Sequence, residues 1–228
     1  RPWLRTPFPE SFAVTNMGVP PVPTPPSADF LTTHASILVF LARDAAQRVL
    51  CYGNAGLTKA EQPDEILRFV EFWKARTGKP PAELVFDSQL TTYTHLHQLN
   101  QLGIHFMTLR RRSKKMLGQI WIRPASAWRR ITLPSLTRTF RTPKVLDELI
   151  SLPGYSGTLR QITITDLGHE EPTVLLTNQT QRSCPDLVTR YAQRMLIENG
   201  ISEAIQFFHL DALSSMVGLK VDFDLQIT

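Results

Sequence analysis

Apolar and polar positions change rhythm several times along the chain, and each change marks an element. Ile37-Leu38-Val39-Phe40-Leu41 is a continuous apolar run of the length expected for a buried strand. Asp44-Ala45-Ala46 supplies a turn, and Arg48–Tyr52 reads as the returning strand, so residues 36–52 predict a hairpin. A polar stretch to Pro63 follows. Asp64 then opens a predicted helix with Ile66, Leu67, Val70 and Trp73 on one face, ending near Gly78. Leu84-Val85-Phe86 is a short apolar strand that stops at Asp87. Thr91 to Leu102 predicts a second helix, with Leu96, Leu99 and Leu102 inward and Gly103 closing it. Ile104–Leu109 is the next strand. Strand–helix–strand alternation predicts an α/β core with parallel strands.

Residues 110–185 break that rhythm. Trp128–Leu133, Leu159–Thr165 and Thr173–Asn178 are short strand-like runs separated by proline and glycine, which predicts a mostly β insertion. From Pro185 a long helix is expected through about Gly200, and another through about Ser215. Upstream, residues 1–33 are proline-rich, with Pro20-Pro21-Val22-Pro23-Thr24-Pro25-Pro26 the densest part. Proline fixes φ and lacks a backbone donor, so 1–33 is read as a linker or degraded segment and 34–228 as the core. The start at Arg1 and the stop at Thr228 within a strand-like stretch suggest a piece of a longer protein.

Charge adds a second feature. The 228 residues carry a net charge of +5, with 25 Lys and Arg against 20 Asp and Glu. Between Asp87 and Asp147 there is no acid, while Arg110, Arg111, Arg112, Lys114, Lys115, Arg123, Arg129, Arg130, Arg138, Arg141 and Lys144 all fall in that interval. A polyanion is the natural partner of such a block, because each neutralised phosphate releases counterions. The bland alternative is a solvated basic face. No apolar run reaches membrane-spanning length, and no signal peptide is visible. Cys51 and Cys184 form neither a CxxC nor a zinc pattern. The expected location is therefore cytoplasmic.

Two carboxylates are placed for chemistry. Asp87 follows a central strand, at the sheet edge where α/β sites form; the bland role there is capping the next turn. Glu198 lies in Tyr191-Ala-Gln-Arg194-Met-Leu-Ile-Glu198. At helical spacing, Tyr191 and Glu198 are about 700° apart and so nearly aligned, with Arg194 about 60° off. Arg194 and Glu198 form an i, i+4 pair that can orient the carboxylate, although such pairs are usually plain surface bridges. Carboxylates from separate core elements are what two magnesium ions need for in-line phosphoryl displacement. His95-x-His97 is a poor metal pair, because i, i+2 side chains diverge on a helix. Trp3, Trp73, Trp121 and Trp128 are expected to be core or anchor residues, although Trp121 and Trp128 could contact unpaired bases. No phosphate-binding loop, dinucleotide fingerprint, nucleophile elbow or zinc-protease helix appears, so no small-molecule cofactor is expected.

Glu83-Leu-Val-Phe-Asp87-Ser-Gln-Leu-Thr-Thr-Tyr93, followed by Gly103-Ile-His-Phe-Met-Thr-Leu-Arg-Arg-Arg112, resembles the second-aspartate region of insertion-sequence transposases of the DDE, ribonuclease H-like superfamily. Thr189-Arg-Tyr191-Ala-Gln-Arg194-Met-Leu-Ile-Glu198-Asn-Gly resembles their tyrosine–arginine–glutamate helix. Leu41–Asp44, Cys51–Leu57 and Phe208–Ser215 are similar to the family as well, and the resemblance covers roughly 36–228. It implies a ribonuclease H-like mixed sheet flanked by helices, with the β insertion between the second and third acids. It also implies Mg2+ or Mn2+ held by Asp87 and Glu198, supported by Tyr191 and Arg194, and transposition of bacterial insertion-sequence DNA. Arg110, Arg111, Arg112, Lys114, Lys115, Arg129 and Arg130 would bind the element ends and target DNA, on which such proteins pair as homodimers.

The chain departs from the family in two places. Ile205 stands where the family has a lysine after the glutamate. The first aspartate, due on the first core strand ahead of the hairpin, is not found, because Phe12-Ala13-Val14-Thr15-Asn16 holds no acid and Asp44 matches the hairpin turn. The amino-terminal part is therefore expected to be degraded, shifted or replaced, and the chain to be unable to transpose. Two other functions stay open: a catalytically inactive DNA-binding remnant, and an interaction module that uses the proline tract.

Overall fold

The computed structural model describes residues 11–19, 37–47, 49–133, 142–168 and 170–193. The proline tract, Arg138 and Arg141, and both Arg194 and Glu198 lie outside them. The chain divides into two compact units at Pro81/Ala82, and each is taken by itself.

In the first unit β1 (Ser11–Val19), β2 (Ile37–Asp44) and β3 (Leu50–Leu57) form an antiparallel sheet. The expected hairpin is β2–β3. Asp44 makes its turn: Oδ1 accepts the Ala46 and Gln47 amides at 2.6 and 2.8 Å, the side-chain mimicry that suits aspartate to turns. Helix α1 (Gln62–Thr77) starts two residues before Asp64, with Pro63 in its first turn, where a missing amide costs nothing. Asp64 and Glu65 near its start and Lys74 and Arg76 near its end complement the helix dipole. Its buried face is Ile66, Phe69, Val70 and Trp73, with Phe12 of β1 edge-on to Phe69 and Trp73 at 5.2 and 4.5 Å. Glu65 is fully buried on that face and satisfied there. Tyr52 and Asn54 of β3 each donate to Oε1 at 2.6 Å, and Arg68 bridges Oε2 at 3.1 Å.

The second unit is a mixed sheet of six strands flanked by helices. β4 (Glu83–Phe86) and β5 (His105–Leu109) are parallel, connected through α2 (Tyr93–Gln101). β9 (Thr173–Thr177) pairs antiparallel with β5, and β8 (Leu159–Thr165), β7 (Lys144–Ile150) and the two-residue β6 (Arg129–Arg130) follow in turn, all antiparallel. Strands β7 to β9 therefore continue the sheet that β4 and β5 begin. Every residue of β4 and all of β8 up to Ile164 is buried, including the polar Glu83, Arg160, Gln161 and Thr163, as strands covered on both faces are. Helices α3 (Lys114–Trp121) and α4 (Cys184–Ala192) complete the unit.

Five points need correction. Residues 110–122 include a helix, α3, which the pattern did not suggest. The strand expected over Trp128–Leu133 shrinks to Arg129–Arg130, while β7 was not expected at all. Leu102, expected inward, is 41% exposed because α2 ends before it and the chain turns at Gly103, whose φ of 74° favours glycine. Trp121 is no core residue: it is 57% exposed, whereas Met116 and Ile120 take the inward face of α3.

Candidate nucleic-acid interface

Asp87 stands at the carboxyl end of β4, directly after four buried residues. Its Oδ1 accepts the Ser88 amide at 2.5 Å and the Ser88 hydroxyl at 3.1 Å, capping a short 3-10 turn, Ser88–Leu90. This is the ordinary role of an acid after a strand, and it fixes the carboxylate at the mouth of the strand. No other described residue bonds it.

Asp87 opens into a cleft of about 1110 Å³. The parallel neighbour β5 ends beside it and runs straight into Arg110, Arg111 and Arg112, which line the same cleft with Ser113 and Lys114 of the α3 start. Ser113 caps α3, its Oγ accepting the Met116 amide at 3.2 Å. The first turn of α3 holds Lys114 and Lys115 and no acid. Cations at the positive end of a helix are unfavourable by roughly 0.3–1 kcal/mol each, so this end is set up for an anion.

The acid-free interval does not stay acid-free in space. Residues from the following strands reach back to it: Asp147 to Arg129 at 2.7 Å, Glu148 to Arg123 at 2.8 Å, Asp166 to Arg130 at 3.2 Å and Glu171 to Arg112 at 3.0 Å. Arg110 is held by Gln161 at 2.5 Å. Arg111, Lys114 and Lys115 form no ion pair with another described residue. Of the seven expected nucleic-acid contacts, Arg110, Arg111, Arg112 and Lys114 come together beside Asp87. Lys115 is exposed next to them, Arg130 lines a second cleft, and Arg129 is committed to Asp147.

That second cleft, of about 820 Å³, is lined by Trp121, Trp128, Arg123, Arg130, Lys144 and the acids Asp166 and Glu170, among others. Glu170 lines both clefts, and α3 contributes to both, Lys114 at one end and Trp121 at the other.

Tyr191, with Asp87 one of the two expected catalytic residues among those described, lies in the last turn of α4, half-buried and four residues after the buried Leu187. It does not line the Asp87 cleft. Helix α4 is nonetheless tied to β4. Glu83, at the other end of the strand from Asp87, accepts Arg190 Nε at 2.7 Å and Arg182 at 3.1 Å. The loop before α4 is wrapped around Arg160, which donates to the carbonyls of Gln179, Thr180 and Arg182 and pairs with Asp147 through both nitrogens at 2.8 Å. Those bonds from Arg160 hold the Asp147 carboxyl below the usual carboxylate range against the opposing effect of burial, and raise Arg160 in turn. Burial pushes the Cys184 thiol up, and the Cys51 thiol up to about 11, so both are poor nucleophiles. His95 bonds Thr92 while His97 meets Tyr155 edge-on, so the histidine pair forms no site.

No family model matches the sequence, and no curated protein matches it. Solved structures do. A piggyBac transposase synaptic complex with hairpin DNA matches at TM-score 0.49 and 10% identity, over 86% of this chain and 40% of that one. This chain therefore spans well under half the length of the piggyBac chain. Ciona intestinalis endonuclease V, in complex with a 24mer DNA containing an inosine followed by a ribo-adenosine, matches at TM-score 0.32 and 7% identity, over 86% of each chain. The catalytic domain of human endonuclease V matches at TM-score 0.34 and 10% identity, over 90% of this chain and 89% of that one. Among the described residues no helix is long and apolar enough to cross a membrane.

Proposed function

We propose that this chain is the DNA-binding core of a DDE-type transposase of the insertion-sequence kind, with the sugar–phosphate backbone of DNA entering the Asp87 cleft. The observation that carries the reading is the convergence, beside a strand-end carboxylate, of Arg110, Arg111, Arg112 and the acid-free first turn of α3. Phosphate oxygens would pair there with Arg111 and Lys114, which form no ion pair with another described residue. Arginine forks and the α3 amides would fix the register of the backbone, while Lys114 and Lys115 supply charge. A ribonuclease H-like plan for the core is supported by the chain order of three antiparallel strands, helix, strand, helix, strand, with the last two strands parallel.

Mg2+ or Mn2+, when bound, would supply the charge that activates the attacking oxygen and stabilises the leaving oxygen of a phosphodiester. The described residues alone do not fit such an ion. Asp87 shares its cleft with Glu170 and Glu171, but no group of three or more His, Cys, Asp or Glu among the described residues could hold a metal. Glu198, the expected partner, lies outside them. A specific observation favours the inactive reading. Residues 11–19 form a real strand, paired with β2 along its length, at the place in the chain where the first aspartate is due. That strand, SFAVTNMGV, contains no acid.

The test is a plasmid nicking assay with Mg2+ or Mn2+ run beside DNA binding across a salt series, on the chain and on Asp87→Ala and Glu198→Ala. The expected result is binding that weakens steeply with salt, no nicking, and affinity within about threefold of the parent in both variants, since neither residue donates to phosphate. Nicking that both substitutions abolish would establish a complete carboxylate set and overturn the inactive reading. Absence of salt-sensitive binding would sink the DNA reading and leave the proline tract as the functional segment.

The exposed Trp121 gives a further expectation. Stacking a base on an aromatic face is worth about 1–3 kcal/mol, so Trp121→Ala should weaken binding of single-stranded DNA about tenfold and of blunt duplex much less. Equal losses on both would show that the tryptophan contributes only to the fold.

A further inference from the structure

The seven-residue β8–β9 connection, residues 166–172, carries Asp166, Glu170 and Glu171, and these acids sit on the basic face described above. Asp166 Oδ2 meets Arg130 at 3.2 Å in one cleft, and Glu171 Oε2 meets Arg112 at 3.0 Å in the other. Glu170 lines both. These three acids therefore lie along the same surface as α3, Asp166 at one cleft, Glu171 at the other and Glu170 at both. Resting on the reading of this face as a DNA-binding surface, we propose that the acidic connection is a built-in competitor for polyanions. Its carboxylates occupy Arg112 and Arg130 in the free protein, and a nucleic-acid backbone must displace them to engage the full surface.

Three observations support this. The bridges are of the exchangeable kind: the side chains involved are 41% and 59% exposed in the Arg112–Glu171 pair and 56% and 43% in the Arg130–Asp166 pair. Pairs this exposed are worth little, so a phosphate series can replace them at small cost. They differ from the Asp147–Arg160 pair of the same unit, whose side chains are 16% and 11% exposed and which has a structural job. Both arginines also have a second, neutral anchor that keeps them in place when the acid leaves: Arg112 donates to the Pro172 carbonyl at 3.3 Å and Arg130 to the Thr142 carbonyl at 2.8 Å. Finally, Asp166 has φ of 64°, the left-handed region that non-glycine residues rarely occupy, and it begins the turn that aims these acids.

The consequence is a threshold. With the acids in place, weak polyanions meet Arg110, Arg111, Lys114 and Lys115 at one cleft and Lys144 at the other. A ligand that follows α3 from the Asp87 cleft to the tryptophan cleft gains two more cations by displacing the competitor. The connection thus sets how much backbone a partner must present, which makes it a specificity element of the basic face.

The experiment compares three proteins by fluorescence anisotropy on a duplex and on mixed-sequence single-stranded DNA, from low to moderate salt. They are the full chain, its Asp166→Asn/Glu171→Gln variant, and an Asp64→Asn/Glu71→Gln control that removes the same charge from exposed positions of α1. Asparagine tolerates φ above zero, so the turn is preserved. The competitor-free variant should bind about tenfold tighter, and its dependence of log K on log salt should steepen by about 2, as two more cations release counterions. The control should change affinity less than threefold and leave the slope alone. Adding Arg112→Gln/Arg130→Gln to the competitor-free variant should return the slope to that of the parent. A parental slope in Asp166→Asn/Glu171→Gln, or the same gain in the control, overturns the competitor. Salt-sensitive binding by none of the proteins overturns the DNA reading on which it rests.

Discussion

Replacing Arg111, Lys114 and Lys115 together by glutamine should lower affinity for duplex DNA by about 10²–10³-fold near 0.1 M salt, and flatten the salt dependence by about 3. These cations form no ion pair with another described residue, and two of them line the Asp87 cleft. Nothing in the unit loses a partner when they go, so the melting temperature should hold. The first turn of α3 should even gain slightly, because two cations leave the positive end of the helix. Arg129→Gln is the informative contrast. It removes one charge from the same acid-free interval, yet Arg129 is spent on Asp147 at 2.7 Å. Its loss should change DNA affinity less than threefold and act on stability instead. If Arg129→Gln weakened DNA binding as much as the triple substitution per charge, the pairing seen here would not matter in solution, and the interval would act as one diffuse positive field.

That contrast also marks where the sequence stops being legible. Strands β2, β4, β5, β8 and β9 and helices α1 and α2 could be read because a buried run or a 3.6-residue stripe is a local pattern. Asp87 could be read because it follows such a run. Helix α3 was missed although its signals are present. Ser113 is an N-cap, and Met116 and Ile120 are spaced by four, but eight residues carry too short a stripe to stand out from the strand-like runs that dominate 110–185. Strand β7 was missed because Val145 and Leu146 are both buried and Asp147 points its charge at Arg160, so no alternation survives. Trp121 was misjudged on residue type. Met116 and Ile120 occupy the inward face, and one residue further on is about 100° around the helix, towards solvent. The pairing of the basic block depended on acids from 18 to 59 positions away, brought back by antiparallel register. Charge counted along the chain overstated the free positive charge for that reason.

The largest stability effect is expected at Asp147. Its carboxylate accepts from Nε and Nη2 of Arg160, whose Nη1 donates to three carbonyls of the segment leading into α4. Asp147→Ala leaves a mostly buried guanidinium without its counter-charge, and removing one member of such a pair costs about 3 kcal/mol. The damage should spread to α4, because the loop that Arg160 holds also carries Gln179 and Arg182, both of which donate to Glu83. Hydrogen-exchange protection should therefore fall first in Thr177–Tyr191, with β2 and β3 unaffected. The pH dependence follows from the sign of the shift. The Asp147 carboxyl is held below its ordinary value of 3.8 when folded, chiefly by Arg160, so the folded state binds its proton less readily than the unfolded state. Its contribution is complete above the ordinary value and is lost only as pH falls through the lower folded value. Urea midpoints of the parent and of Asp147→Asn should thus differ by the same amount at pH 7 and pH 5, and converge below 3.8 as the parent carboxylate is protonated. A gap that closed between pH 7 and pH 5 would place the titrating group elsewhere and remove the Asp147–Arg160 clamp as its cause.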